Sequence, residues 1–169
     1  SLEVANMGLK KNPRHAAFNR LAMYNNTDLK RFEEALKAAD VFFNECDKAD
    51  YSYLDYMYYG HLLEELKKYD EAVGQYEKAV ELDPTKTDLY KNISSAYEQK
   101  NDYKKAIGAY HKYYSSLEKE KQTPDLQFQL GRLYYGAGTQ PDSLTINAEE
   151  RKQALMSADS VFQVISEAA

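Results

Sequence analysis

A segment of this chain repeats itself at a spacing of 34 residues, and that period excludes most folds at once. Ala72 and Tyr76 recur as Ala106 and Tyr110, Ala79 aligns with Tyr113, and Tyr56, Leu63 and Tyr69 align with Tyr90, Tyr97 and Tyr103. A fixed period of this length marks a supersecondary unit that cannot bury its apolar face alone and therefore stacks on its neighbours. Within each unit the apolar positions fall three, four and seven apart, the spacing of a helix with one buried face. In the first full copy Tyr56, Tyr59, Gly60 and Leu63 make one stripe, and Ala72, Tyr76, Ala79 and Leu82 make a second. Each unit is thus predicted to be two amphipathic helices joined by a polar turn. Pro84 ends the second helix, Thr87 is the expected N-cap of the next, and Thr123-Pro124 reads as an N-cap followed by proline at the first helical position.

Composition agrees with this reading. The chain has only 7 Gly and 4 Pro in 169 residues, with neither between 14 and 59, which is too few turns for a β-sandwich. Acidic residues outnumber basic ones by 27 to 22, with both signs interleaved, so no basic stripe exists for nucleic acid or an anionic membrane. The mean hydropathy is −0.74, and no apolar run approaches the roughly 18 residues that span a bilayer. Neither nucleic-acid binding nor membrane insertion is expected.

The reactive residues form no constellation. His15, His61 and His111 fall in three different units, without the short spacing that converges ligands on zinc. His61 with Glu64 and Glu65 reads as a surface helix pair. Cys46 sits among acids that disfavour a thiolate. The glycines from Gly131 to Gly138 lack the Lys-Ser/Thr ending of a phosphate loop, and no nucleophile elbow is present. Asn25-Asn26-Thr27 and Asn92-Ile93-Ser94 match the glycosylation pattern, but the second falls inside a predicted helix. The expectation is no catalytic residue, no metal and no cofactor. The 16 tyrosines mostly occupy the repeat's own core and turn positions, so they are read as packing residues rather than a base-stacking ladder.

The pattern resembles the tetratricopeptide repeat. Tyr56, Tyr59, Gly60, Leu63, Ala72, Tyr76, Ala79 and Pro84 occupy all eight signature positions of that repeat in residues 53–86. Residues 87–120 keep Tyr90, Ile93, Tyr97, Ala106, Tyr110 and Tyr113, with Ser94 in place of glycine and Glu118 in place of proline. Residues 121–169 carry Leu130, Gly131 and Tyr134, then Ala158, Phe162 and Ile165 about 15 residues late, which predicts an enlarged, mobile or partner-facing turn over 136–147. Asn147 and Glu150 are expected to form a capping pair for a long last helix. Residues 14–52 form a degenerate unit with extra residues near Asp47 to Ser52, and 1–13 the end of a preceding one. The resemblance implies an all-α fold, an α-solenoid of antiparallel helix hairpins in a right-handed superhelix. The apolar C-terminal stripe and the start inside a repeat suggest a fragment of a longer array.

The resemblance also implies a function. Proteins of this kind commonly bind a peptide or partner segment on the concave face formed by the first helix of each repeat. Carried over by register, that face is Asn19, Met23 and Asn26, then Met57, Tyr58, His61 and Glu64, then Lys91, Ser95 and Glu98, then Phe128, Arg132 and Tyr135. The variant that clamps a terminal carboxylate is not expected, because its five slots hold Met57, His61, Asn92, Asp125 and Gln129, of which only Asn92 fits. A non-catalytic protein-binding module is the leading reading. A self-associating scaffold segment, joined through its end faces, and a glycan or small-ligand binder using Tyr58, Phe128 and Tyr135 are the alternatives.

Overall fold

The apolar stripes fold as helices throughout the computed structural model, which describes residues 1–46, 50–141 and 146–168. The chain forms two units, Ser1–Lys86 and Thr87–Ala169. The first contains α1 (Leu2–Lys11), α2 (Ala16–Asp28), α3 (Phe32–Asn44), α4 (Tyr53–Glu65) and α5 (Tyr69–Leu82). The second contains α6 (Leu89–Gln99), α7 (Tyr103–Ser116), a short 3₁₀ turn, α8 (Pro124–Thr139) and α9 (Ala148–Ala168). α2 pairs with α3, α4 with α5, α6 with α7 and α8 with α9, as successive helical hairpins.

The first three hairpins are closed by one device. Lys30, Lys67 and Asn101 have φ of 57°, 60° and 62°, the left-handed conformation that ends a helix and turns the chain back. Each is bracketed by the same two hydrogen bonds. The Lys67 and Lys68 amides donate to the Glu64 and Leu63 carbonyls at 2.9 and 2.8 Å, and those of Asn101 and Asp102 to Glu98 and Tyr97 at 2.8 and 2.9 Å. The Lys30 and Arg31 amides repeat the pattern on Thr27 and Asn26. Carbonyls that would end the helix unpaired are satisfied this way, and the following helix starts within two residues.

Small residues set how closely each hairpin's helices approach. A Cβ on Gly60 would lie 2.8 Å from the ring of Tyr76 and 3.2 Å from the carbonyl oxygen of Ala72, so only hydrogen fits there. One repeat on, Ser94 occupies the same slot and donates its hydroxyl to the Ala106 carbonyl at 2.8 Å, which explains how the non-glycine residue is tolerated. At Gly131 the facing ring is Phe162, whose Cε1 would lie 2.6 Å from an added Cβ. The surrounding lattice of Ala35, Ala39, Ala72, Ala79, Ala106 and Ala109 is buried. Tyrosine fills the larger gaps: Tyr76 is fully buried, and its hydroxyl donates to Glu64 at 2.8 Å. Lysines on the second helix lie over tyrosines of the first, Lys78 on Tyr56 at 5.6 Å and, 34 residues on, Lys112 on Tyr90 at 5.3 Å.

Between α2 and α4 the packing includes a buried charge. Asp55 is fully buried and accepts from Arg20 Nε and Nη2 at 2.7 and 2.8 Å, from the Tyr24 hydroxyl at 2.6 Å and from the Ser52 amide at 2.8 Å. Arg20 also donates to the Asp50 carbonyl at 2.6 Å and lies over the Phe42 ring. With these donors the carboxylate is compensated, so its burial ties two hairpins together instead of opposing the fold.

Several local expectations change. Residues Gly136–Thr139 are not turn: α8 continues to Thr139, and Gly136 and Gly138 are close-approach positions against Tyr103 and Leu155. No glycine among the described residues has positive φ. The connection to α9 is therefore shorter than expected, and residues 142–145 of it lie outside the described residues, as do 47–49 of the spacer before α4. Thr87 is not the N-cap of α6, which follows Asp88. Leu82, read as part of a buried stripe, is exposed at the end of α5. The Asn147–Glu150 pair forms as expected, with reciprocal bonds of 3.0 and 2.9 Å ahead of a 21-residue α9. No helix among the described residues is long and apolar enough to cross a membrane.

Candidate binding groove

In the second unit α6 and α8, the first helices of successive hairpins, flank a groove of about 430 Å³. Lys91, Ser95 and Glu98 line it from α6, and Asp125, Gln129 and Arg132 from α8, with Tyr110 and Leu133 beneath. The spacing of these residues, three or four apart on each helix, puts them on one face. Arg132 bridges the groove to Glu98 with two bonds, 2.6 and 3.0 Å, and its Nε donates to Gln129 at 3.0 Å. The Tyr110 hydroxyl donates to the Leu126 carbonyl at 3.0 Å, and burial pushes its pKa up to about 12, so it stays protonated at physiological pH. Lys91 and Asp125 add one charge of each sign. The groove mixes polar and apolar surface, is balanced in charge and offers side chains that hydrogen-bond a peptide backbone or its polar side chains.

Of the residues expected at a binding face, the structure brings Lys91, Ser95, Glu98 and Arg132 together in this groove. Phe128 and Tyr135, both about half exposed, are on α8 but outside it, Phe128 packing on Phe162 with ring centroids 5.5 Å apart. In the first unit Asn19, Met23 and Asn26 are buried, because α2 is packed by α1, α3 and α4 at once. Asn19 donates to the Pro13 carbonyl at 2.8 Å, and Met23 joins the cluster of Ala5, Phe42 and Leu62. These three offer no surface to a partner. Tyr58 stacks on Tyr24, centroids 4.2 Å apart, and Glu64 accepts from Tyr76, so both serve the packing of α4. Met57 is half-buried and His61 exposed on the same helix. Asp125 and Gln129, named in the sequence only as slots of the carboxylate clamp that is not expected, also line this groove. No group of three or more His, Cys, Asp or Glu among the described residues is arranged to hold a metal.

These successive helical hairpins form a tetratricopeptide-repeat fold, the fold of the solved structures they match. The family described as TPR repeat matches residues 60–101. Solved structures share the fold across nearly the whole chain. The C-terminal part of a TPR repeat-containing protein from Cytophaga hutchinsonii superposes with a TM-score of 0.71 at 23% identity, covering 98% of this chain and 57% of that one. MamA gives 0.68 at 17% identity, covering 98% and 89%. A chain of the Naa15/Naa10 complex bound to HypK-THB gives 0.61 at 20% identity, covering 99% of this chain and 22% of that one. No curated protein matches the chain in sequence.

Proposed function

We propose that this chain is a non-catalytic binding module that holds an extended segment of another protein in the α6–α8 groove. The observation that carries the reading is the groove itself, in which Lys91, Ser95, Glu98 and Arg132, from successive first helices, face a common space with Asp125 and Gln129. Side chains of both signs around a floor of Tyr110 and Leu133 suit a segment carrying both charges and free backbone amides. The Naa15/Naa10 structure, which is bound to HypK-THB, is a fold relative consistent with such a role. Binding of this kind draws on side chains alone and requires no cofactor.

Peptides selected from a random display library on the wild-type chain test the proposal. Their affinity is expected to fall about tenfold or more in Lys91→Glu combined with Arg132→Glu, because like-charge contacts at a docking face are strongly disfavoured. Unchanged affinity in that variant, for every selected peptide, would refute it.

A further inference from the structure

A second hollow, of opposite character, lies where α7, α8 and α9 meet. It holds about 300 Å³. Its walls are Ile107 of α7, Tyr134 of α8 and Ile146, and its floor is formed by the small side chains Ala137 and Ala154, both buried. Small residues on two facing helices leave room that no side chain among the described residues fills. The mouth is charged: Lys104 of α7 pairs with Glu150 of α9 at 2.9 Å, and Glu150 is held a second time by the Asn147 amide. Glu149, beside it and exposed, makes no ion pair among the described residues. The rim therefore has one uncompensated negative charge over an apolar interior.

Both features constrain the occupant. Ligand pockets begin at about 300 Å³, and dry apolar cavities of about 150 Å³ already accept a benzene-sized group. An apolar body is favoured inside, while an acidic mouth repels fatty acids and other anionic amphiphiles and attracts a cation. We propose that this hollow receives an aromatic or branched apolar side chain of a protein partner that carries a lysine or arginine beside it. The site is independent of the α6–α8 groove and does not rest on the reading given above. Anchoring by one buried side chain with a charged neighbour at the rim is a common economy of protein interfaces.

The test titrates the 169-residue chain with acetyl-Phe-Lys-amide, acetyl-Phe-Glu-amide, acetyl-Ala-Lys-amide and benzene, following the methyl resonances of Ile107 and Ile146. The Phe-Lys probe is expected to shift both methyls and the Ala-Lys probe to leave them in place. The Phe-Glu probe should bind about two- to fivefold more weakly than Phe-Lys, the range of one exposed ion pair, and Glu149→Lys should reverse that order. Ala154→Leu fills the floor and should abolish the response; Ser157→Leu fills the hollow from its less buried margin and should do the same if the first variant fails to fold. No shift with Phe-Lys, equal response to all three dipeptides, or a response that survives both filling variants would overturn the proposal. A response to benzene with none to the dipeptides would make the hollow a small-molecule cavity and also overturn it.

Discussion

Glu98 and Arg132 stand 34 residues apart in the chain and are joined by hydrogen bonds of 2.6 and 3.0 Å. One repeat length separates them, so a periodic sequence has become a contact between equivalent helices across the groove. Arg132 is half exposed, which limits the pair to about 1 kcal/mol or less despite its two bonds. A double-mutant cycle with Glu98→Ala and Arg132→Ala, read by denaturant unfolding, should give a coupling in that range at low salt. The coupling should shrink at 1 M salt, where the Debye length falls to about 3 Å.

The glycines divide into two kinds, which substitution will separate. Gly60→Ala pushes a methyl into the Tyr76 ring and the Ala72 carbonyl, and should destabilise by about 1–3 kcal/mol. Gly74 and Gly108, on α5 and α7, have nothing within 4 Å of an added Cβ. Replacing either with alanine should stabilise by about 0.5–1 kcal/mol, because the helix interior loses its most flexible residue. Thermal midpoints moving in the same direction at Gly60 and Gly74 would contradict this division.

Left-handed turn residues predict the reverse change. Lys30→Gly and Lys67→Gly relieve the contact of Cβ with the following backbone and should each stabilise by about 1 kcal/mol. Asn101→Gly should gain less, since asparagine already tolerates this conformation. Chemical denaturation of the three variants checks the order.

Asp55 is the buried charge that joins the two hairpins of the first unit. Asp55→Ala removes the carboxylate that accepts from Arg20, Tyr24 and the Ser52 amide, leaving Arg20 only the Asp50 carbonyl, and should cost about 3–5 kcal/mol, whereas Tyr24→Phe removes one bond and should cost about 1–2. Circular-dichroism melts of both variants measure the ratio.

Alkaline pH should unfold the chain. Burial, and for Tyr24 the hydrogen bond to Asp55, raises the pKa of Tyr24 well above its usual 10.0, and burial pushes Tyr110 up to about 12. The folded chain keeps phenol protons that the unfolded chain releases from about pH 10 upward, so stability is fully present below that pH and falls as pH rises through the folded values. Urea midpoints should hold steady from pH 8 to 9.5 and decline above about 10. A midpoint that rises over this upper range would contradict the assignment.

How much of this was legible in the sequence depends on which contacts are local. Ala72, Tyr76 and Gly60 meet within one hairpin, so the 34-residue period places them correctly. The capping pair Asn147 and Glu150 is likewise local and readable. Burial of Asn19, Met23 and Asn26 is not, because register alone assigns them to an open face and only the packing of α1 and α4 against α2 closes it. Gly136 and Gly138 misled for a related reason: glycine signals both a turn and a close approach, and the deciding partners, Tyr103 and Leu155, are distant in sequence. Asp55 was invisible as a buried charge, since its partner Arg20 lies 35 residues upstream in the degenerate repeat.

The most direct test of the binding role is an amide chemical-shift footprint of a library-selected peptide on the full chain. Perturbations are expected to centre on Lys91, Ser95, Glu98, Gln129 and Arg132 and to be lost in the charge-reversed variant. A footprint confined to residues 1–86, or one at the groove that the variant leaves unchanged, would contradict the binding role.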